Sequence, residues 1–131
     1  MTTKLSKGHE IHLDAHGIVN IKVIEGAHLN VAILCRLNKN VQKLAGQKRI
    51  LALIDARRFH TFTPEATSYL KKEIVDKTRI ATAVVGNKVA VRLMVDNMTK
   101  VQKTKSPIRM FTSEVQARTW LLSVKNKAAK E

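Results

Sequence analysis

The chain has 131 residues, of which 44% are hydrophobic and only 4% aromatic, so one aliphatic core in a single domain over residues 1–131 is expected. Its only cysteine, Cys35, excludes an internal disulfide and any metal site built from two or more cysteines. The net charge of +14 favours anionic partners. The basic residues are scattered along the chain, however, and fit a purely solubilising role at least as well.

The start of the chain carries no sign of export. Residues 1–10 are polar and basic and lack the apolar core of a signal peptide. No run approaches the roughly 18 apolar residues that a membrane span requires. We therefore expect a cytoplasmic protein.

A β-hairpin is predicted near the start, after a frayed segment at residues 1–8. Residues 10–14 and 19–23 alternate polar and apolar side chains, and the segment between them has turn composition. Residues 27–45 follow with aliphatic side chains at helical spacing. Gly46 is suited to end that helix, because glycine tolerates the left-handed backbone found after helices.

The next unit is a strand, a loop and a helix. Residues 50–54 form a continuous aliphatic run, which is typical of a parallel strand covered on both faces. Residues 55–63 are predicted to form a loop. Thr63 and Pro64 then suit the N-cap and first position of a second helix, which we expect to continue to about Lys77.

Two further units complete the alternation. A strand is predicted at 80–85, and a third helix at about 88–103 is apolar nearly all round. A short strand at 108–111 precedes a last helix, which begins with a capping box formed by Ser113 and Gln116. The resulting order, β-β-α-β-α-β-α-β-α, predicts an α/β fold with a mixed, mainly parallel sheet flanked by four helices.

Several short segments resemble the SpoIIAA-like fold of STAS domains, the fold of the sporulation anti-anti-sigma factors. The residues that carry the resemblance are Thr63-Pro64-Glu65-Ala66, the strand Arg79–Val85, and Phe111 with Ala117, Trp120 and Leu121. The likeness covers about residues 9–125, is greatest to uncharacterised bacterial members, and extends distantly to Sec14-type lipid carriers. It implies this fold and a non-catalytic regulatory role. The phosphorylated anti-anti-sigma factors carry an Asp-Ser-Ser-Gly-like turn, which residues 55–63 lack, so a phosphoswitch is not implied.

No pattern for enzyme chemistry is present in the sequence. The chain has no nucleophile elbow, no Walker loop and no dinucleotide-binding glycine motif. The five histidines include no pair at metal-binding spacing on a predicted helix. We therefore expect neither catalysis nor a cofactor or metal.

One candidate binding surface lies beyond the carboxyl ends of the parallel strands, where open α/β sheets usually bind ligands. Two predicted helix N-termini also point there and favour anions. One hypothesis is that an acidic or phosphorylated group docks against Asp55, Arg57, Arg58, Thr61, Thr63, Asn87 and Lys88. The alternative, which the sequence favours slightly, is that Thr63 only caps a helix and that Asp55 only pairs with the neighbouring, solvated arginines.

The predicted helix at 88–103 is a second candidate, because one face of a helix in a small domain normally meets water. Its excess apolar face, Val91, Met94, Val95 and Met98, suits a homodimer contact, a pocket wall or a lipid-facing surface. A deep core position for this helix is a close alternative.

Three functional hypotheses follow from these observations. The leading one is a regulatory module that binds a protein partner, with a homodimer as a further expectation. The second is a carrier or sensor of an apolar or anionic lipid-like ligand, with peripheral membrane association. The third, nucleic-acid binding, rests on charge alone and is disfavoured because few aromatic side chains are available for base stacking.

Overall fold

A computed structural model describes residues 2–46, 48–70, 79–87 and 106–130. The described part contains eight strands and three helices. The strands are β1 (Thr2–Ser6), β2 (His9–Leu13), β3 (Ile18–Val23), β4 (Ala27–Leu29), β5 (Ile50–Asp55), β6 (His60–Phe62), β7 (Arg79–Val85) and β8 (Ile108–Phe111). The helices are α1 (Val31–Leu44), α2 (Pro64–Leu70) and α3 (Glu114–Lys130).

The main sheet is mixed and mainly parallel, as predicted. Its six strands lie in the order β1-β2-β3-β5-β7-β8. The predicted hairpin is β2 and β3, which pair antiparallel with Ile11 opposite Ile21. The neighbours from β3 onward pair parallel. The α/β class is therefore confirmed.

Strand β5 lies at the centre of the core and is buried on both faces. Leu51 and Leu53 pack with Ala117 and Leu121 of α3 on one side. On the other side, Ile50 and Ala52 pack with Leu37 and Val41 of α1. The alternation of side chains along a strand produces this division, and the prediction of a covered strand at 50–54 is confirmed.

The predicted frayed start is wrong, because residues 2–6 form β1. This strand pairs antiparallel with β2, with Thr2 opposite Leu13 and Ser6 opposite His9. The two-residue turn between them contains Gly8 at a φ of +82°, a conformation that glycine adopts without steric cost. The polar sequence of this edge strand does not show the alternation by which strands are predicted.

Two three-residue strands also depart from the predicted order. Residues 27–29 form β4 instead of the start of a helix, and α1 begins later because the side chain of Asn30 accepts a hydrogen bond from the Ile33 amide at 2.9 Å. Residues 60–62, predicted as loop, form β6. The two strands pair parallel as a separate small sheet, so the predicted element order is incomplete.

The predicted helix boundaries at three other positions are confirmed. Gly46 directly follows Ala45, the C-cap of α1, with a φ of +66°. The Thr63 hydroxyl accepts the Ala66 amide at 3.1 Å. The Ser113 hydroxyl accepts the Gln116 amide at 3.4 Å. The predicted remainder of the second helix and the predicted helix at 88–103 lie outside the described residues.

None of the described helices is both long enough and apolar enough to span a membrane.

Candidate functional site

The carboxyl ends of the central parallel strands meet at one edge of the sheet. Asp55, the last residue of β5, lies opposite Lys22 of β3 and Val85 of β7. The chain segments that leave β3 and β5 at this edge form the small β4–β6 sheet. The edge is therefore built from segments that are distant in sequence.

Asp55 holds both neighbouring arginines. Its Oδ1 accepts the Arg57 amide at 3.1 Å and Arg57 Nε at 2.9 Å. Its Oδ2 accepts Arg57 Nη2 at 2.9 Å and Arg58 Nη1 at 3.5 Å. The hydrogen bonds from Arg57 keep the pKa of the Asp55 carboxyl below its ordinary value, against the opposing effect of burial. The predicted pairing of Asp55 with the arginines is present, and both guanidinium groups stay substantially exposed.

The other predicted site residues, Thr61, Thr63, Asn87 and Lys88, do not join the Asp55 cluster as a group. The Thr61 hydroxyl lies 2.6 Å from Nδ1 of His28 on the adjacent strand β4. Thr63 is the cap of α2. Asn87 is exposed just beyond the end of β7, while Lys88 lies outside the described residues. The structure thus brings Asp55, Arg57 and Arg58 into one cluster, and Thr63 has a structural role at a helix start.

A groove of about 300 Å³ lies beside this cluster, between the hairpin β2–β3 and the start of α3. Three carboxylates line it, from Glu10, Asp55 and Glu114, and so do three cationic side chains, from Lys22, Arg57 and Arg58. Lys22 and Glu10 lie 3.9 Å apart. Because the opposite charges balance, the groove is not a simple anion site.

Two exposed apolar side chains lie at the same edge, and the sequence reasoning missed both. Phe59 is 57% exposed and Ile24 is 40% exposed. The Gly26 amide donates to the Phe59 carbonyl at 2.8 Å, and the Phe59 amide donates to Glu25 Oε2 at 3.1 Å. These bonds hold the turn at residues 24–26, between β3 and β4, against Phe59. For Phe59, the sequence did contain a signal, because a phenylalanine within the predicted loop 55–63 indicates an exposed apolar side chain.

The residues of the predicted apolar contact surface, Val91, Met94, Val95 and Met98, lie outside the described residues, so that surface stays a prediction. Within the ranges that the structure describes, no three His, Cys, Asp or Glu side chains are grouped so that they could hold a metal ion.

The sheet order and the covering helices define a SpoIIAA-like α/β protein, and a solved structure supports this class. The chain is similar to an uncharacterised protein from the DUF3478 family with a SpoIIAA-like fold, from Shewanella loihica PV-4. The TM-score is 0.66 at 16% identity, over 92% of this chain and 98% of that one. At this identity the likeness concerns the fold alone, and it confirms the predicted structural resemblance.

The chain belongs to the family DUF7793, a domain of unknown function, whose model matches residues 11–125. No curated protein matches the sequence.

Proposed function

We propose that this protein is a non-catalytic interaction module that binds a partner protein through the carboxyl edge of its sheet. The proposed contact surface, called the carboxyl-edge surface below, consists of Ile24, Arg57, Arg58 and Phe59. The observation that carries the proposal is that Phe59 and Ile24 are exposed at the same edge of the sheet as two exposed guanidinium groups.

This composition is that of an interface centre. Aromatic residues and arginine are enriched in protein interfaces and supply most of their binding hot spots. An exposed phenylalanine costs free energy in water, and a partner that covers it recovers that cost.

The geometry also reduces the entropic cost of binding. Arg57 is held by Asp55 through two guanidinium hydrogen bonds of 2.9 Å, so its side chain is ordered before a partner arrives. Arg57 and Arg58 share this one carboxylate. Donors are therefore left for a carboxylate of the partner, and we expect a partner segment that combines an acidic and an apolar residue.

The ionisation of Asp55 favours binding over catalysis. A general acid or base works best when its pKa lies near the working pH. The Arg57 hydrogen bonds lower the pKa of Asp55 below its ordinary value, further from a neutral working pH. This carboxylate is therefore suited to positioning the arginines.

The test is affinity capture from a native lysate with the double variant Arg58→Ala/Phe59→Ala. We expect the wild-type chain to retain a stoichiometric protein partner and the double variant to lose at least about nine-tenths of it, as is usual for hot-spot residues. Lys127→Ala is the control, because Lys127 is exposed and lies near the end of α3, away from the groove beside the arginine cluster. The proposal fails if no stoichiometric partner is found, or if the double variant retains it as well as the control does.

A further inference from the structure

A second cavity of about 470 Å³ lies at the opposite edge of the sheet, where the parallel strands begin. We call it the amino-edge pocket. It is bounded by the turn between β2 and β3, by the segment that joins α1 to β5, and by Lys125 on α3. Its size falls within the range of about 300–1,000 Å³ that is common for small-molecule sites.

The floor of the amino-edge pocket is aliphatic, with Leu13, Leu51 and Ile80 among its lining residues. A register shift between β5 and β7 contributes to it: Ile50 lies opposite Arg79, whereas the next residue, Leu51, lies opposite Ala81. Ile80 is therefore the extra residue on β7. An extra residue of this kind bends a strand and redirects side chains, and Ile80 is only partly buried against the core.

Three cationic side chains surround this floor, those of Lys48, Arg49 and Lys125. Arg49 Nη2 donates to the Arg79 carbonyl at 2.9 Å, and Lys125 Nζ donates to the His16 carbonyl at 2.9 Å. These partners are neutral carbonyls, so they position the two cations without cancelling their charge.

No carboxylate among the described residues lines the amino-edge pocket. Gly17 also lines the pocket, and the carboxylate nearest to it in sequence is that of Asp14. This carboxylate accepts a hydrogen bond from Arg118 Nη1 at 2.7 Å. The charge balance of the carboxyl-edge groove is thus absent here. An anionic group that enters gains attraction from the three cations with little repulsion.

We propose that the amino-edge pocket binds an amphiphilic anion, a molecule with an aliphatic chain and a carboxylate or phosphate head. The chain lies on Leu13, Leu51 and Ile80, and the head lies between Arg49 and Lys125. A small inorganic anion leaves the aliphatic floor exposed to water, and a neutral chain leaves the cations without a counter-charge. The site is separate from the carboxyl-edge surface and does not depend on the proposed function.

The first experiment is a methyl NMR titration of the full chain with decanoate, decyl phosphate, 1-decanol and inorganic phosphate, each as monomers in solution. We expect both amphiphilic anions to shift the methyl signals of Leu13, Leu51 and Ile80. The alcohol is expected to bind at least about tenfold more weakly, since it lacks the charge-assisted hydrogen bonds, and inorganic phosphate to leave these methyl signals unchanged. Comparison of decanoate with decyl phosphate distinguishes a carboxylate head from a phosphate head.

The second experiment uses Arg49→Gln/Lys125→Gln, which we expect to weaken binding of the preferred anion by about tenfold or more. Lys7→Gln/Lys39→Gln is the matched control, because it removes the same charge from exposed positions that do not line the pocket. The inference is overturned if both variants lose affinity equally, if 1-decanol binds as tightly as decanoate, or if no anion shifts the three methyl signals. The methyl titration of the wild-type chain uses no variant, so it still decides the inference if the double substitution disturbs folding.

Discussion

Asp14 ties the turn between β2 and β3 to helix α3. Its carboxylate accepts the amides of His16 at 2.9 Å and Ile18 at 3.1 Å, and it also accepts Asn20 Nδ2 at 3.1 Å and Arg118 Nη1 at 2.7 Å. Burial alone raises the pKa of this carboxyl, but the four hydrogen bonds together lower it to about 2.

The first prediction concerns acid stability. The folded state holds the Asp14 proton less tightly than the unfolded chain does, so ionised Asp14 stabilises the folded protein. This stabilisation is complete above the ordinary pKa of 3.8 and is lost as the pH falls through about 2. Asp14→Asn keeps an acceptor for the turn amides but removes the charge opposite Arg118. We expect it to lower the free energy of unfolding at pH 7 by roughly 1–2 kcal/mol, after allowance for solvent screening.

Urea unfolding of the wild type and Asp14→Asn between pH 7 and pH 2 measures this effect. The difference between the two proteins should shrink towards the acid end of the range. Glu10→Gln is the control, because the exposed pair of Glu10 and Lys22 at 3.9 Å should contribute less than about 1 kcal/mol. An equal loss for both variants, or a difference that does not change with pH, would contradict this interpretation.

Gly8, in the turn between β1 and β2, lies against Leu29 of β4 and leaves no room there for a side chain. It has a φ of +82°, and a Cβ at this position would lie 2.9 Å from Cδ2 of Leu29. Leu29 is only 1% exposed, so its side chain has little room to move away.

The second prediction follows from this contact. Gly8→Ala should destabilise the protein by about 1 kcal/mol more than Gly26→Ala. The comparison is matched because Gly26 has a φ of +79° but no atom within 4 Å of the added Cβ, so it reports the backbone cost alone. Chemical unfolding measures both, and equal losses would show that Leu29 accommodates the methyl group.

Among the elements of the fold, those with a clear local pattern were predicted correctly and those without one were missed. The aliphatic run at 50–54 and the caps at Thr63 and Ser113 are local signals, and they led to correct elements. The strands β4 and β6 have only three residues each, too few to show a period. They exist because the segments beyond β3 and β5 pair with each other, which is a contact between distant parts of the chain.

At the scale of the whole molecule, the net charge is +14, and the charged side chains that line the two cavities differ between the two edges of the sheet. At the carboxyl edge, carboxylates and cations balance in the groove. At the amino edge, the cations are held by carbonyls. A basic composition alone therefore did not identify where an anion would bind.

The two candidate sites were accessible to sequence reasoning to different degrees. The cluster of Asp55, Arg57 and Arg58 was predictable because its members are neighbours in sequence and follow a buried strand. The contact between Glu25 and Phe59 joins residues 34 positions apart, and Lys125 reaches His16 across 109 positions. Neither the carboxyl-edge surface nor the amino-edge pocket could be assembled without the folded structure.

The central claim is that the carboxyl-edge surface is where a partner protein binds, and hydrogen–deuterium exchange of the complex tests it most directly. With the captured partner bound, we predict slower exchange at the amides of residues 24–28 and 57–61, because an interface excludes water from the backbone that it covers. Residues 119–125 of α3, which lie beyond its first turn, should be unchanged. Protection confined to α3 or to the amino edge, with 24–28 and 57–61 exchanging as in the free protein, would contradict the account.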